Sequence, residues 1–308
     1  MIKPNFFIVG APKSGTTSLF HFLEQHPDIF IPSIKEPRYF IADHILQTND
    51  QDPIKEYLLR TSTLEKSDYL NLYKDKSQKV LGDASIQYLY HYEEVIPKMK
   101  EMISPDVKIL IMLRNPVARA FSNYSHNTSS YENTNFKTAL SLEDSRIKNR
   151  FNSFWHYKSM SLYSKQVEAF IKEFKNVKVV FFEDFIKDID GTVSDIYNFL
   201  EVDTNFKASS YLVNKKNTGS PKSKWFKSFF STIKKWVFLK KIANRILGED
   251  KLKLFNELID RANLSNKKVI LDPEIKKELQ HFFNKDIVAL EKLIARKSNW
   301  INKDGKNN

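Results

Sequence analysis

The chain has 308 residues, of which 41% are hydrophobic, and it carries a formal net charge of +12. This length and composition suffice for a sizeable core in one large domain or two small ones. The sequence contains no cysteine, which excludes disulfides and thiolate metal sites. The basic charge leaves nucleic acid, acidic polymers and anionic lipid as candidate partners, although a composition rich in lysine and asparagine explains the charge more simply.

The sequence shows neither a signal-peptide pattern nor an apolar run that could cross a bilayer, which takes about 20 residues. The first apolar run, over residues 6–9, is far too short. We therefore expect a soluble, cytoplasmic protein of bacterial type.

The first third of the chain predicts a strand, a glycine loop and a helix. Residues 5–9 form an apolar run typical of buried parallel strands, and the run ends at Gly10. A helix begins near Gly15 and is stopped by Pro27. The pattern then predicts a strand or extended segment over residues 28–37 and a polar helical insertion over 41–79. An extended or turn-like stretch over 81–90 and a helix to about residue 102 follow.

The rest of the chain alternates in the same way. Residues 108–113 predict a second buried strand, and Pro116 opens a helix that runs through Ser122. Further elements are a polar loop over 127–150, a helix over 162–174, a strand over 177–182, a helix over 192–200 and a final helix over 272–296. The alternation indicates a three-layer α/β fold with a parallel sheet. We expect one domain over residues 1–308, with a core over 1–225 and a basic helical C-terminal extension over 226–308.

The stretch GAPKSGTT, residues 10–17, differs from a Walker nucleotide-binding loop at one position. Thr16 stands where the Walker pattern has its lysine, and the only lysine of the loop is Lys13. In a strand–loop–helix unit, the loop amides and the helix N-terminus point at one spot, which suits an anion. The alternative is a plain glycine turn before a helix.

The residues after the later strands argue against magnesium-dependent triphosphate chemistry. Such an enzyme needs an aspartate after a second strand to hold Mg²⁺, but the second strand here ends in Arg114. Asp184 follows the third strand, where aspartate is common in loops. Two separated cationic positions, in the glycine loop and at Arg114, indicate a nucleotide with two separated phosphate groups.

Two motifs together resemble the sulfotransferases that use 3′-phosphoadenosine 5′-phosphosulfate (PAPS). They are GAPKSGTT and RNPVARAFSNY, residues 114–124. The resemblance implies that the first motif grips the 5′-phosphosulfate and that Arg114 and Ser122 bind the 3′-phosphate. The residues that match the first motif are Lys13, Ser14, Gly15, Thr16 and Thr17.

The resemblance covers most of residues 5–225. It continues through residues 162–174, 179–185 and 197–203, and residues 271–294 resemble the closing helix of bacterial members and of the heparan sulfate sulfotransferases. It implies a P-loop-like sulfotransferase fold, PAPS as co-substrate and adenosine 3′,5′-bisphosphate (PAP) as product. The implied acceptor is a carbohydrate hydroxyl, on a polysaccharide or a glycolipid.

The resemblance also implies catalytic roles. Lys13 would stabilise the bridging oxygen of the leaving phosphate, and Glu36 of KEPRYF would be the general base. On the sequence alone, Glu36 is an ordinary surface carboxylate between Lys35 and Arg38. His126 lies one turn after Ser122 and is a second acid–base candidate, or else a histidine without a role at a helix end.

The chain departs from the family pattern at two places near the acceptor. Arg38 stands where many relatives have histidine, and Ala84 stands where many glycan enzymes keep a lysine. Asp83 holds the preceding acidic position. We expect Arg38 and Asp83 to contact the acceptor, with Arg38 as a substitute for the lost cation. The histidines show no metal-ligand spacing, so we expect no catalytic metal.

The C-terminal region adds weaker signals. Residues 217–224, NTGSPKSK, resemble the loop that closes over the nucleotide in the family, with Thr218, Gly219, Ser220 and Lys222 as contacts. Residues 225–247 interleave aromatic and basic side chains, which suits an anionic membrane surface, a polyanionic glycan or a helix over the core.

Two other functions remain open at this point. One is a kinase or nucleotidase with a degenerate Walker loop. The other is a binder of polyanions or membrane surfaces without enzymatic activity. No nucleic-acid motif is recognisable in the sequence, so nucleic acid is not an expected partner.

Overall fold

The computed structural model describes residues 2–208 and 270–301, and the backbone alone at 220–221 and 264–265. Within these residues, no helix combines the length and the apolar character that a transmembrane span requires. The sequence-based interpretation of residues 225–247 lies outside this part of the chain, as do the expected contacts Thr218, Gly219 and Lys222. Of Ser220, only the backbone is described.

A parallel five-stranded sheet forms the centre of the fold. Its spatial order is β2-β3-β1-β4-β5. The strands are β1 (Phe6–Gly10), β2 (Ile29–Phe30), β3 (Val80–Asp83), β4 (Lys108–Leu113) and β5 (Asn176–Phe181). All five residues of β1 are buried, as expected for an apolar strand covered on both faces.

The strand order reverses direction beside β1. From β1 the chain continues to β2 and β3 on one side of the sheet, and afterwards to β4 and β5 on the other. The register aligns Phe7 with Asp83 and with Ile109, so the carboxyl ends of β1, β3 and β4 lie along one edge. In open parallel sheets, ligands bind outside the carboxyl ends where the strand order reverses.

Twelve α-helices lie within the described residues. They are α1 (Thr16–Leu23), α2 (Ala42–Leu46), α3 (Lys55–Thr61), α4 (Lys66–Asn71), α5 (Tyr92–Met102), α6 (Pro116–Thr128), α7 (Phe136–Ser141), α8 (Glu143–Lys148), α9 (Ser164–Glu173), α10 (Phe182–Lys187), α11 (Ile189–Leu200) and α12 (Pro273–Leu293). Short 3₁₀ turns occupy Tyr39–Ile41, Ser153–Trp155 and Ser159–Ser161.

A continuous apolar core joins the central strands to α1, the helix that follows the glycine loop. Ile8 and Met112 of the central strands are fully buried with Leu19 and Phe22 of α1 and Ile196 of α11. Because α1 is fixed to the sheet along its apolar side, the N-terminus of α1 has a fixed position at the carboxyl edge.

The C-terminal helix α12 is joined to α9 by a capping carboxylate. Asp286 accepts hydrogen bonds from the backbone N–H of Tyr163 at 2.6 Å and of Ser164 at 3.1 Å, and from the Ser164 hydroxyl. A side chain of one helix therefore satisfies the N-terminal amides of another, which are orphan donors in any isolated helix.

One secondary-structure prediction needs correction and another becomes more specific. The stretch predicted as extended or turn-like over residues 81–90 begins within the strand β3, which lies next to β1. The loop predicted over 127–150 is wrong, because α6 extends to Thr128 and α7 and α8 follow it. These helices are short and their sequence is mostly polar, and Glu143 is fully buried as an acceptor for the amides of Lys158 and Ser159.

The described residues fall into two compact units. One unit comprises the described residues up to Tyr124, the described residues from Thr134 to 208, and residues 272–301 with α12. This unit contains the whole five-stranded sheet. The other takes in Ser125–Asn133 and the antiparallel pair of Ser220–Pro221 with Leu264–Ser265. The expectation of one domain over residues 1–308 stays a prediction.

Candidate active site at the carboxyl edge of the sheet

The loop between β1 and α1 turns tightly because it contains glycine at a position that no other residue fits. Gly15 has φ 86° and occupies the N-cap of α1. A Cβ at Gly15 would lie 2.8 Å from Cδ2 of Phe182, so the side chain of any other residue would collide with this ring. Lys13 also has a positive φ, of 68°. The loop therefore brings its amides and the N-terminus of α1 to one place, which favours an anion.

Ser14 indicates that this loop receives a polar group. Its side chain is fully buried, and among the described residues its Oγ has no hydrogen-bond partner. An unsatisfied buried hydroxyl costs about 1–3 kcal/mol, and a ligand oxygen would remove this cost. Thr16 is buried beside it, whereas Thr17 is exposed.

Arg114, which follows β4, reaches across to the glycine loop. Its Nη1 donates a hydrogen bond of 3.1 Å to the backbone oxygen of Lys13, and its guanidinium lies 4.7 Å from the ring centre of Phe182. Burial lowers the pKa of Arg114. The group stays charged at neutral pH, because an arginine pKa begins above 12. The two motifs that are separate in the sequence thus meet at one edge of the sheet.

The turn from β4 into α6 is fixed by residues on both sides. Asn115 caps α6, since its Oδ1 accepts from the amides of Val117 and Ala118 at 3.0 and 3.2 Å. The backbone amide of Asn115 donates a hydrogen bond of 3.0 Å to Glu183. The same carboxylate accepts a hydrogen bond of 3.1 Å from the indole N–H of Trp300. These contacts orient the backbone that carries Arg114.

Ser122 and His126 both lie on α6. Ser122 is half-buried, about two turns from the start of the helix. His126 is exposed in the last turn and belongs to the second compact unit. The expected roles of Ser122 at a 3′-phosphate and of His126 in acid–base chemistry stay predictions.

Glu36 lies between two cations. Its Oε2 accepts from Nη2 of Arg38 in a short contact, and its Oε1 lies 3.4 Å from Nζ of Lys35. The Lys35 ammonium also donates a 2.6 Å hydrogen bond to Oγ1 of Thr17, in the first turn of α1. A continuous polar chain therefore connects Glu36 with the end of the glycine loop.

Arg38 supports Glu36 from within the protein. It is 5% exposed, and its Nη1 lies 3.3–3.5 Å from the backbone oxygen of Glu36 and from the hydroxyls of Thr61 and Ser62. Its φ of 56° is in the left-handed region, which costs a non-glycine residue about 1–2 kcal/mol. Its backbone amide donates to Oγ of Ser85 at 2.9 Å. In this position the guanidinium holds the carboxylate of Glu36, and direct contact with an acceptor stays a prediction.

Asp83 is the last residue of β3 and is connected to Arg38 through Ser85. It is 1% exposed and accepts hydrogen bonds from Ser85 Oγ at 2.6 Å, from the Tyr69 hydroxyl at 2.8 Å and from the Tyr88 hydroxyl at 3.1 Å. Burial raises the pKa of Asp83 to about 6, against the opposing effect of these donors. The sequence placed Asp83 among the acceptor contacts. In the structure its carboxylate accepts from three protein hydroxyls, and Ser85 connects it to the backbone of Arg38. Contact of Asp83 with an acceptor stays a prediction.

Sequence reasoning missed three residues that order the site. The sequence identifies Lys35 only as a neighbour of Glu36, and it offers no motif that selects Ser85 or Glu183. The dipeptide Asn115–Pro116 carries a readable signal, because asparagine at the N-cap and proline at the next position begin many helices. No comparable signal identifies Glu183, since its two partners are distant in sequence.

Comparisons with known proteins agree with this architecture. Residues 3–293 match the sulfotransferase domain family. The crystal structure of a sulfotransferase from Alicyclobacillus acidocaldarius aligns over 97% of this chain and 99% of its own, with 30% identity and a TM-score of 0.73.

Two curated relatives are similar over part of their length. Rat carbohydrate sulfotransferase 15 is 26% identical over 161 residues, which cover 41% of this chain and 28% of that protein. Human heparan sulfate glucosamine 3-O-sulfotransferase 3B1 is 24% identical over 202 residues, which cover 64% of this chain and 46% of that protein. The chain thus spans less than half the length of these relatives. Since the family match extends over nearly the whole chain and the fold agrees with it, the chain belongs to the sulfotransferase domain family.

Proposed function

We propose that the protein transfers the sulfuryl group of PAPS to a hydroxyl of a carbohydrate. In this reaction a bond forms between sulfur and the acceptor oxygen, while the bond between sulfur and the bridging phosphate oxygen breaks. PAP leaves with that electron pair, and the acceptor proton passes to a base. The single observation that carries the proposal is the hydrogen bond from Arg114 to the backbone oxygen of Lys13, because it brings two separate cationic motifs together.

The glycine loop fits the 5′-phosphosulfate end of this donor. The buried Ser14 hydroxyl has no protein partner among the described residues, and Gly15 allows the loop to turn closely against Phe182. Lys13 would stabilise the negative charge that develops on the bridging oxygen, a type of electrostatic stabilisation that is worth several kcal/mol in enzymes. Thr16 and Thr17 would add hydroxyl donors.

Arg114 and Ser122 would bind the 3′-phosphate. A guanidinium offers paired N–H donors that match phosphate oxygens, and charge-assisted bonds of this kind are stronger than neutral ones. Burial among Phe182 and the loop backbone strengthens such an interaction further, because solvent screening is reduced.

Glu36 is the general base of the proposed mechanism. Arg38 and Lys35 hold its carboxylate from two sides, and Lys35 also contacts Thr17 at the donor end of the site. These contacts support the proposed role of Glu36, because they hold its carboxylate in a fixed position. A positioned base contributes about 10²–10⁴-fold to the rate.

The carbohydrate acceptor rests on the names of the relatives. One is a carbohydrate sulfotransferase and another acts on heparan sulfate glucosamine, and each shares sequence with part of this chain. The acceptor position and the sugar are not specified by the residues described above.

Calorimetric titration of the full chain tests the nucleotide. We expect PAP to bind one site per chain and ATP with Mg²⁺ to bind far more weakly, because no carboxylate follows β4 to hold the metal. Tighter binding of ATP with Mg²⁺ would contradict the proposal and favour a kinase or nucleotidase. Binding of neither nucleotide would favour a polyanion binder without enzymatic activity.

A further inference from the structure

Two histidines and a glutamate meet away from the residues assigned to the donor. His44 lies on α2, His91 at the N-cap of α5 and Glu94 in the first turn of α5. One ligand atom from each of the three lies within 4.8 Å of the other two, and the two imidazole rings are 4.1 Å apart between their centres. The spacing of three residues between His91 and Glu94 places both on one side of a helical turn.

His44 provides the strongest indication that a ligand belongs here. Its Nε2 is buried and, among the described residues, has no hydrogen-bond partner. Buried ring nitrogens are rarely left in this state, because each unsatisfied polar atom costs about 1–3 kcal/mol. A metal ion at this nitrogen would supply the missing interaction.

His91 has the support that metal-binding histidines require. Its Nε2 lies 3.0 Å from Oγ of Ser153, and this hydroxyl also accepts a 2.8 Å hydrogen bond from Nε2 of Gln87. When His91 donates from Nε2 to Ser153, the lone pair of Nδ1 is left for a metal. Such outer hydrogen bonds fix the ring orientation and the tautomer of metal ligands.

Glu94 is the third candidate ligand, and one of its oxygens already contacts Lys98. Its Oε1 accepts a 2.7 Å hydrogen bond from Lys98, which is also held by Asp43 at 2.8 Å. Coordination would therefore use the second oxygen of Glu94 and leave the ion pair with Lys98 in place. Two imidazoles and one carboxylate, with a fourth position for water, form a ligand set that suits Zn²⁺.

We propose that His44, His91 and Glu94 bind one divalent transition-metal ion of the zinc class, which joins α2 to α5. The inference does not rest on the proposed function. The sequence pattern had predicted no catalytic metal, and this ion would have a structural role: it would fix the helix that begins shortly after Arg38.

Metal binding can be measured directly on the full-length protein without an affinity tag. After treatment with a chelator and its removal, the protein is titrated with Co²⁺ and followed by visible absorption, and then with Zn²⁺ by calorimetry. We expect one ion per chain, visible bands typical of low coordination number, and a higher melting temperature with Zn²⁺ than with the chelator.

Variants separate this site from adventitious binding. His44→Ala and Glu94→Gln should each weaken Zn²⁺ binding at least about tenfold and abolish the thermal shift. His281→Ala removes an exposed histidine on α12 and should change neither. If a variant does not fold, His44→Gln provides a milder replacement of the same ligand. Unchanged affinity in a folded His44 variant, or absence of a stoichiometric site in the wild-type protein, would overturn the proposal.

Discussion

The guanidinium of Arg114 contacts several parts of the site at once. It donates to the Lys13 backbone and packs on Phe182, while the backbone oxygen of Arg114 accepts a 2.9 Å hydrogen bond from Tyr163. Among the residues that the structure describes, the hydrogen bond to Lys13 uses one N–H group of the guanidinium, and further N–H donors remain for a dianionic phosphate.

Arg114→Ala should therefore weaken the binding of PAP by about 10–100-fold, the amount expected for charge-assisted hydrogen bonds. Adenosine 5′-phosphosulfate, which lacks the 3′-phosphate, should lose much less. Calorimetry with both nucleotides measures the difference, and Arg60→Ala, at an exposed arginine of α3, is the matched control. An equal loss for both nucleotides would place the 3′-phosphate elsewhere.

Glu36→Gln should separate chemistry from binding. The amide keeps the size of the carboxylate and an acceptor for Arg38, but it is not a base, so sulfuryl transfer should fall by about 10²–10⁴-fold. The affinity for PAP should stay close to that of the wild-type protein. The rate is measured with labelled donor on the glycan that gives the highest wild-type activity in a screen. Glu56→Gln, at an exposed glutamate of α3, serves as control, and near wild-type turnover of Glu36→Gln would exclude this base.

At the scale of elements, the cap that α12 provides for α9 makes a separable contribution to stability. Asp286→Ala removes the acceptor for the amides of Tyr163 and Ser164, and the free energy of unfolding should fall by about 0.5–2 kcal/mol. Asp286→Asn retains an acceptor oxygen and should lose less. Urea denaturation of the three proteins gives the comparison, and identical midpoints would show that the cap contributes nothing.

The elements differ in how well their sequence predicts them. The strands β1, β4 and β5 and the helices α9, α11 and α12 were predicted within a few residues, because each has a long apolar run or a clear helical period. β3 was not recognised as a strand, since it has only four residues and contains Gly82. α7 and α8 were missed because a buried polar side chain such as Glu143 does not contribute to a hydrophobic pattern.

The candidate site shows the same division. Lys13, Ser14, Gly15, Glu36 and Arg114 could be selected from motifs in the sequence, whereas the contacts that hold them could not. The structure links the motifs through backbone atoms and through residues such as Lys35 and Ser85, and sequence periodicity contains no information about such partners. The register between parallel strands, which aligns Asp83 with Phe7, depends on crossovers that are also invisible in a local pattern.

At the scale of the whole molecule, the buried Asp83 makes stability depend on pH. Its pKa of about 6 in the folded protein exceeds its usual value near 3.8, so the native state binds this proton more tightly than the unfolded state does. The resulting stabilisation is complete below pH 3.8 and is lost as the pH rises through 6. Its full size is about 3 kcal/mol.

Asp83→Asn should remove this dependence, because an amide does not titrate. The free energy of unfolding of the wild-type protein, relative to that of the variant, should decrease as the pH rises from 4 to 7. Urea denaturation at several pH values measures both proteins, and contributions from other titrating groups cancel in the comparison. A difference that stays constant would show that the three hydroxyl donors balance burial at this carboxylate, and one that increases with pH would show that they outweigh it.

Glu183 joins the indole of Trp300 to the backbone of Asn115, the residue next to Arg114. The consequence is optical: indole fluorescence changes with the hydrogen bond and the polarity around the ring, so the proposed binding of a nucleotide at Arg114 should alter the emission of Trp300. The chain has three other tryptophans, Trp155, Trp225 and Trp236, and their replacement by phenylalanine leaves Trp300 as the sole emitter. The protein thus carries its own spectroscopic probe for occupancy of the site.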